Sequence, residues 1–173
     1  MKWDKGEYMD IFNMLAFLVG GGITLTAFIT LVGRLFTTPV TYSAEAIKAS
    51  LWKPFLIGLV NAVFFILLAA LMFNFARSQL SGLPAGLVAM IALAIFAALG
   101  ILESIGLSGF SYWLEGQITN SERTLTSSLR TTLLLVLACM APFVGWFLLT
   151  PFVIATALGA AIQTVLRRKE KAA

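Results

Sequence analysis

The chain has 173 residues, 60% of them hydrophobic and 12% charged, with a mean hydropathy of +0.94. A soluble domain carries nearer a quarter charged residues, so a water-facing domain of any size is excluded and the bilayer is the expected solvent. The net charge of +4 does not point to nucleic acid, because four of the twelve basic residues crowd the last seven positions, directly after an apolar run. That arrangement is the positive-inside pattern.

There is no histidine, and Cys139 is the single cysteine. An internal disulfide is therefore impossible, and the commonest zinc ligand, the usual haem ligand and the usual base near neutral pH are missing. No paired acids and no Ser-Lys dyad fall at membrane depth. The expectation is a chain that is not an enzyme, with no metal site and no dedicated cofactor, while lipid, quinone or pigment contact in apolar grooves stays open.

Residues 1–10 read as an interfacial cap holding Trp3 and Tyr8, types that favour the headgroup layer. The acids Asp4, Glu7 and Asp10 are unlike an export signal, so the first span is expected to be retained. That span runs from about Ile11 to Gly33, with Gly20, Gly21 and Gly22 near its centre and Thr24, Thr26 and Thr30 beyond. Glycine weakens a helix but lets a neighbouring backbone come close, so the triplet predicts close helix packing.

Residues 34–53 form a connector. From Ser43 to Trp52, Ala46, Ile47, Ser50 and Leu51 share one helical side with Glu45 and Lys48 off it, which predicts a short amphipathic helix lying in the interface. Pro54 then suits the first turn of a second span ending near Phe75. Asn61, deep in that span, is expected to bond across to another helix. The polar turn Ser78 to Pro84 makes the second and third spans an antiparallel hairpin. The third stays apolar from Ala85 to Leu102, and a straight helix to Leu114 would be about 45 Å long, against a hydrocarbon core of about 30 Å. It must tilt, break near Gly106 to Gly109, or continue along the surface. Glu103 is the one candidate intramembrane acid. Residues 116–130 form a polar connector.

Thr131 to Leu166 spans 36 residues without a formal charge and is followed by Arg167, Arg168, Lys169 and Lys171, candidate headgroup contacts. If it crosses once, basic residues divide seven against five; if it is a hairpin, nine fall on the cytoplasmic side and three outside, as the positive-inside rule expects. Pro142 and Gly145 mark the turn, with limbs from about Leu125 to Ala141 and Trp146 to Leu166. The fold class is an all-α polytopic transmembrane helix bundle in a single membrane domain, five spans preferred and four plus a re-entrant or kinked C-terminal segment as the alternative. The N-terminus is expected outside and the C-terminus in the cytoplasm.

The amphipathic AEAIKASLWKPFLIGL, the pair of spans and the closing APFVGWFLLTPFVIATALGAAIQTVLRR resemble the multi-span membrane domain attached to bactofilin-like polymer-forming proteins of bacteria, over about Ala44 to Arg168. The resemblance implies a module of the bacterial cytoplasmic membrane for anchoring or assembly, with no enzymatic role.

Two functions follow as expectations. The first is a non-catalytic scaffold or accessory subunit whose partners are the lipid bilayer and other membrane subunits or a second copy. It would pack through Gly20, Gly21, Gly22 and Asn61 and through the small-xxx-small pairs Gly100 with Ser104 and Ala155 with Gly159. The second is a small transporter or channel with a polar path around Gly20 to Gly22, Asn61 and Glu103.

Overall fold

A computed structural model of the protein describes residues 5–79, 83–119 and 124–170, with side chains placed for most of them. The described residues are helical, with no strand. The elements are α1 (Lys5–Leu35), α2 (Thr37–Ala49), α3 (Trp52–Gln79), α4 (Leu83–Ile118), α5 (Leu125–Met140) and α6 (Thr150–Glu170), the last entered through a π-helical turn, Gly145–Leu149. Four segments are long and apolar enough to cross a membrane: Phe12–Leu35, Trp52–Met72, Gly86–Ile118 and Gly145–Leu166. Their outward apolar surface, with Phe17, Leu71 and Leu93 exposed, is compatible with lipid contact. The fifth apolar helix, α5, has 16 residues and is about 24 Å long, short of a full hydrocarbon core.

The long apolar tail is folded back on itself. α5 begins at Thr124, whose side chain accepts from the Ser127 amide while Ser127 Oγ accepts from the Thr124 amide, a reciprocal cap that satisfies two otherwise orphaned donors. It ends at Met140, and the turn Ala141 to Val144 is closed by Val144 N–H donating to the Pro142 carbonyl, with Phe143 at a φ of 63°. Pro142 lies in the turn itself. Gly145 opens the return limb, pressed so tightly on α5 that a methyl group there would fall 2.5 Å from the Ala138 carbonyl oxygen. The π-helical turn follows from Pro151. Its ring cannot tolerate the normal approach of the Phe147 carbonyl, and the backbone widens so that Thr150 N–H reaches Gly145 O, a local π-bulge.

α6 is the axis of the bundle. Ala155, Thr156, Ala157, Leu158, Ala160 and Ala161 are all buried, so small residues meet neighbours on every side. Against α3 the contact is backbone on backbone: a methyl group at Gly159 would fall 1.8 Å from Pro54 O, and one at Gly58 would fall 1.7 Å from Ala155 O. Such proximity is open to glycine alone. On another face Gly106 of α4 sits against Ala157, where a methyl group would lie 2.0 Å from the carbonyl oxygen. Ile47, Phe110, Leu135, Val153 and Ala160, from α2, α4, α5 and α6, join in one apolar cluster.

The structure excludes one of the three alternatives for the third span and corrects the placing of the connector helix. α4 is a single unbroken helix of 36 residues, about 54 Å long. Gly106 and Gly109 do not break it but receive neighbours, Gly109 taking Ser43 of α2. The connector helix α2 begins at Thr37, earlier than Ser43, and its Ala46 and Ile47 face is buried against α4 and α6 instead of resting in lipid. Glu45 and Lys48 do point outward, as their spacing requires, and Pro54 occupies the first turn of α3.

Candidate functional site

The most polar assembly in the described bundle is at the end formed by the C-terminal halves of α1 and α4 and the start of α5. Along α4, Ser104, Ser108, Ser111 and Glu115 recur at intervals of four, three and four residues, which keeps them on one face. Ser108 Oγ contacts Ile29 O of α1 at 2.8 Å and Ser104 O of its own helix at 2.8 Å, and the former ties two long helices together. Thr132 of α5 donates to Ser128 O at 2.8 Å and meets Ser111 Oγ at 2.6 Å, so Ser111 is the donor to Thr132.

Glu115 ends the row. It is only 3% exposed, and it is answered by hydroxyls: Ser127 Oγ donates to Oε1, and Ser128 Oγ lies 3.1 Å from Oε1 and 3.0 Å from Oε2. A buried carboxylate without such partners would be strongly disfavoured, so the hydroxyl-rich start of α5 is what permits an acid there. Ser108, Ser111, Glu115, Ser128 and Thr132, with Thr30, Gly33 and Arg34 of α1, line a cleft of about 180 Å³. Arg34, in the last turn of α1, is exposed.

One turn further along the same helices lies an apolar cavity of about 470 Å³, walled by Leu25, Ile29, Leu107, Leu135, Val136, Cys139, Met140, Trp146 and Ile154. Ile29 lines both spaces. A methyl group at Gly33 would be 3.7 Å from Ser108 Cβ, whereas Gly100, two turns along the Ser108 stripe, has nothing within 4 Å.

The residues singled out from sequence do not assemble into one site. Gly22 packs on Met140 and Val136 of α5, but Gly20 and Gly21 have no neighbour within 4 Å. Asn61 does not bond across the bundle: its amide donates to Ile57 O of its own helix at 2.7 Å, which satisfies a polar group locally in an apolar helix. Among the described residues Gly100 has no neighbour within 4 Å, and Ser104 Oγ donates back to Gly100 O at 2.7 Å. Ala155 and Gly159 lie at the α3 crossing. Glu103 is half-buried, and its Oε1 is enclosed without a hydrogen bond. The side chains of Arg167, Arg168 and Lys169, and the whole of Lys171, lie outside the described residues; of the expected cap at residues 1–10, residues 1–4 and the side chains of the rest, Tyr8 included, do too.

The cleft itself was missed from sequence. Its signal lies in the 104, 108, 111, 115 spacing, which puts three serines and an acid on one face of α4. Among the described residues, no group of three or more acidic or cysteine side chains could hold a metal ion. No family model matches the chain, and neither does any curated protein or solved structure.

Proposed function

We propose that the protein is a non-catalytic integral membrane scaffold or accessory subunit, which holds other membrane-embedded chains against its α1 and α4 faces. One observation carries the reading. The glycines of α3 and α6 are consumed by contacts inside the chain, while Gly20, Gly21 and Gly100 stand in long apolar helices with nothing within 4 Å. A helical glycine costs about 1 kcal/mol relative to alanine, and in lipid the compensating gain is the close approach of another helix. Among the described residues no helix supplies that approach. The bacterial cytoplasmic membrane is the setting the bactofilin-type resemblance suggests, and basic residues favour an outside N-terminus and a cytoplasmic C-terminus.

Extraction in mild detergent followed by mass analysis tests the assembly: a larger complex or a homo-oligomer is expected, and Gly21→Leu with Gly100→Leu should release the chain as a monomer with its helical content intact. A wild-type monomer from the native membrane would reject the reading. A reporter fused after Ala173 and active outside the cell would overturn the orientation.

A second reading, a small transporter, draws on Glu103 alone. Asn61 lies 18 residues before the end of α3 and Glu103 lies 20 after the start of α4, so the hairpin brings them to similar depth, and Glu103 Oε1 has no partner. Ion or proton flux in proteoliposomes that vanishes in Glu103→Gln would favour it over the scaffold.

A further inference from the structure

We propose that the cleft between α1, α4 and α5 binds one phospholipid with a zwitterionic, amine-bearing head. The phosphate sits at Arg34, the ammonium faces Glu115, and an acyl chain enters the apolar cavity. This goes beyond the assembly reading and does not depend on it.

The order of the lining carries the argument. On α1, Arg34 and Thr30 give way to Leu25; on α4, Ser111 and Ser108 give way to Leu107; on α5, Thr132 gives way to Leu135 and Val136. Three helices thus change from polar to apolar at one level, with Ile29 shared by both spaces, and the polar part is at the helix ends. A ligand matched to this gradient has a polar head at the membrane boundary and a hydrocarbon tail pointing inward. From Thr132 to Met140 is about 12 Å along the helix axis, near the depth of one leaflet of a core of about 30 Å. The apolar cavity, at about 470 Å³, falls within the usual range for bound small molecules.

Charge selects the head. The polar cleft is lined by a cation, Arg34, and by the buried carboxylate of Glu115. Guanidinium is suited to a phosphate. A purely anionic head would also bring its charge toward Glu115, whereas an ammonium is attracted there. Only two hydroxyl protons are directed at Glu115, one from Ser127 and one from Ser128 shared between both oxygens, and they do not fill the roughly four acceptor positions of a carboxylate, so an N–H can be accepted as well. A head joining phosphate to a primary amine meets both groups at once, and phosphoethanolamine is the membrane-lipid chemistry of that kind.

The test uses the intact protein, reconstituted in vesicles of phosphatidylethanolamine, phosphatidylglycerol and phosphatidylcholine in equal parts, extracted, washed in detergent and weighed by native mass spectrometry. One phosphatidylethanolamine per chain is expected, enriched about tenfold over either competitor, a preference equivalent to one strong polar contact. Arg34→Gln should reduce retention about tenfold. Leu25→Trp, at a partly exposed position on the cavity wall, should abolish retention without changing thermal stability. Glu115→Gln should erase the preference over phosphatidylglycerol while retention continues. No retained lipid, retention unaffected by Leu25→Trp, or retained phosphatidylglycerol in place of phosphatidylethanolamine would each overturn the proposal. If Glu115→Gln fails to fold, the two other variants still decide it.

Discussion

Gly159 and Gly100 are the same residue in two long apolar helices, each four positions from another small residue, yet their surroundings are opposite. At Gly159 the backbone of α3 lies so close that a single methyl group would collide with Pro54 and Gly58. At Gly100 there is open space, and the nearby Ser104 turns back onto the Gly100 carbonyl. The region around α6 is a core closed by backbone contact; the outer halves of α1 and α4 are walls still awaiting a neighbour, whether lipid or another chain. Small-residue spacing identifies a helix able to be approached closely. It does not say whether the approach comes from within.

The sharpest way to break this contrast is to place the same bulk on both sides of it. Gly159→Leu should separate α3 from α6 and uncouple the axis of the bundle, a loss of more than about 3 kcal/mol, at or beyond the upper range of overpacking. Denaturant titration in detergent micelles should then show no cooperative transition. Gly100→Leu in the isolated chain should keep that transition cooperative and not lower it, with a gain of up to about 1 kcal/mol from replacing a helical glycine. Equal damage from the two variants would erase the distinction.

Glu103 stands at the border of the two regions, one turn before Gly106. Its enclosed, unpartnered oxygen carries a burial cost that no contact offsets, so Glu103→Gln should raise stability by about 1–2 kcal/mol. A fall in stability would mean that the carboxylate is engaged after all, and would strengthen the transport reading.

Much of the packed region was legible in the residues themselves. Pro142 and Gly145 announced the turn because proline ends a helix and glycine allows a close return of the chain, and α2 was visible in the spacing of Ala46 and Ile47 against Glu45 and Lys48. The role of Gly106 and Gly109 stayed open because a glycine's cost is local and can be seen in sequence, whereas its compensation comes from α6 and α2, more than forty residues away in either direction. Asn61 was misread for the converse reason. A cross-helix bond was expected of it, but the carbonyl one turn back was nearer. The cleft went unseen because a serine in an apolar helix usually bonds to its own backbone. Ser104 does so, and only the approach of α1 and α5 distinguishes Ser108 and Ser111 from it.

That distinction can be measured. Ser108 ties α4 to α1 through Ile29 O. Ser108→Ala removes the tie without adding bulk and should cost about 1 kcal/mol, the scale of interhelical hydrogen bonds in membrane proteins. Ser104→Ala, whose hydroxyl bonds within its own turn, should cost less than half as much. Hydrogen exchange of the amides around Ile29 should rise in the first variant and not in the second.

The smallest effect has the opposite sign and bears most directly on the open wall. Gly100→Ala adds a methyl group where nothing stands within 4 Å and replaces the poorest ordinary helix former by the best, so the isolated chain should gain about 0.5–1 kcal/mol. If α4 is approached by another helix in the native membrane, the same methyl group obstructs that contact. The variant should then be more stable alone and weaker in its assembly, a pair of opposed shifts that lipid contact at Gly100 would not produce.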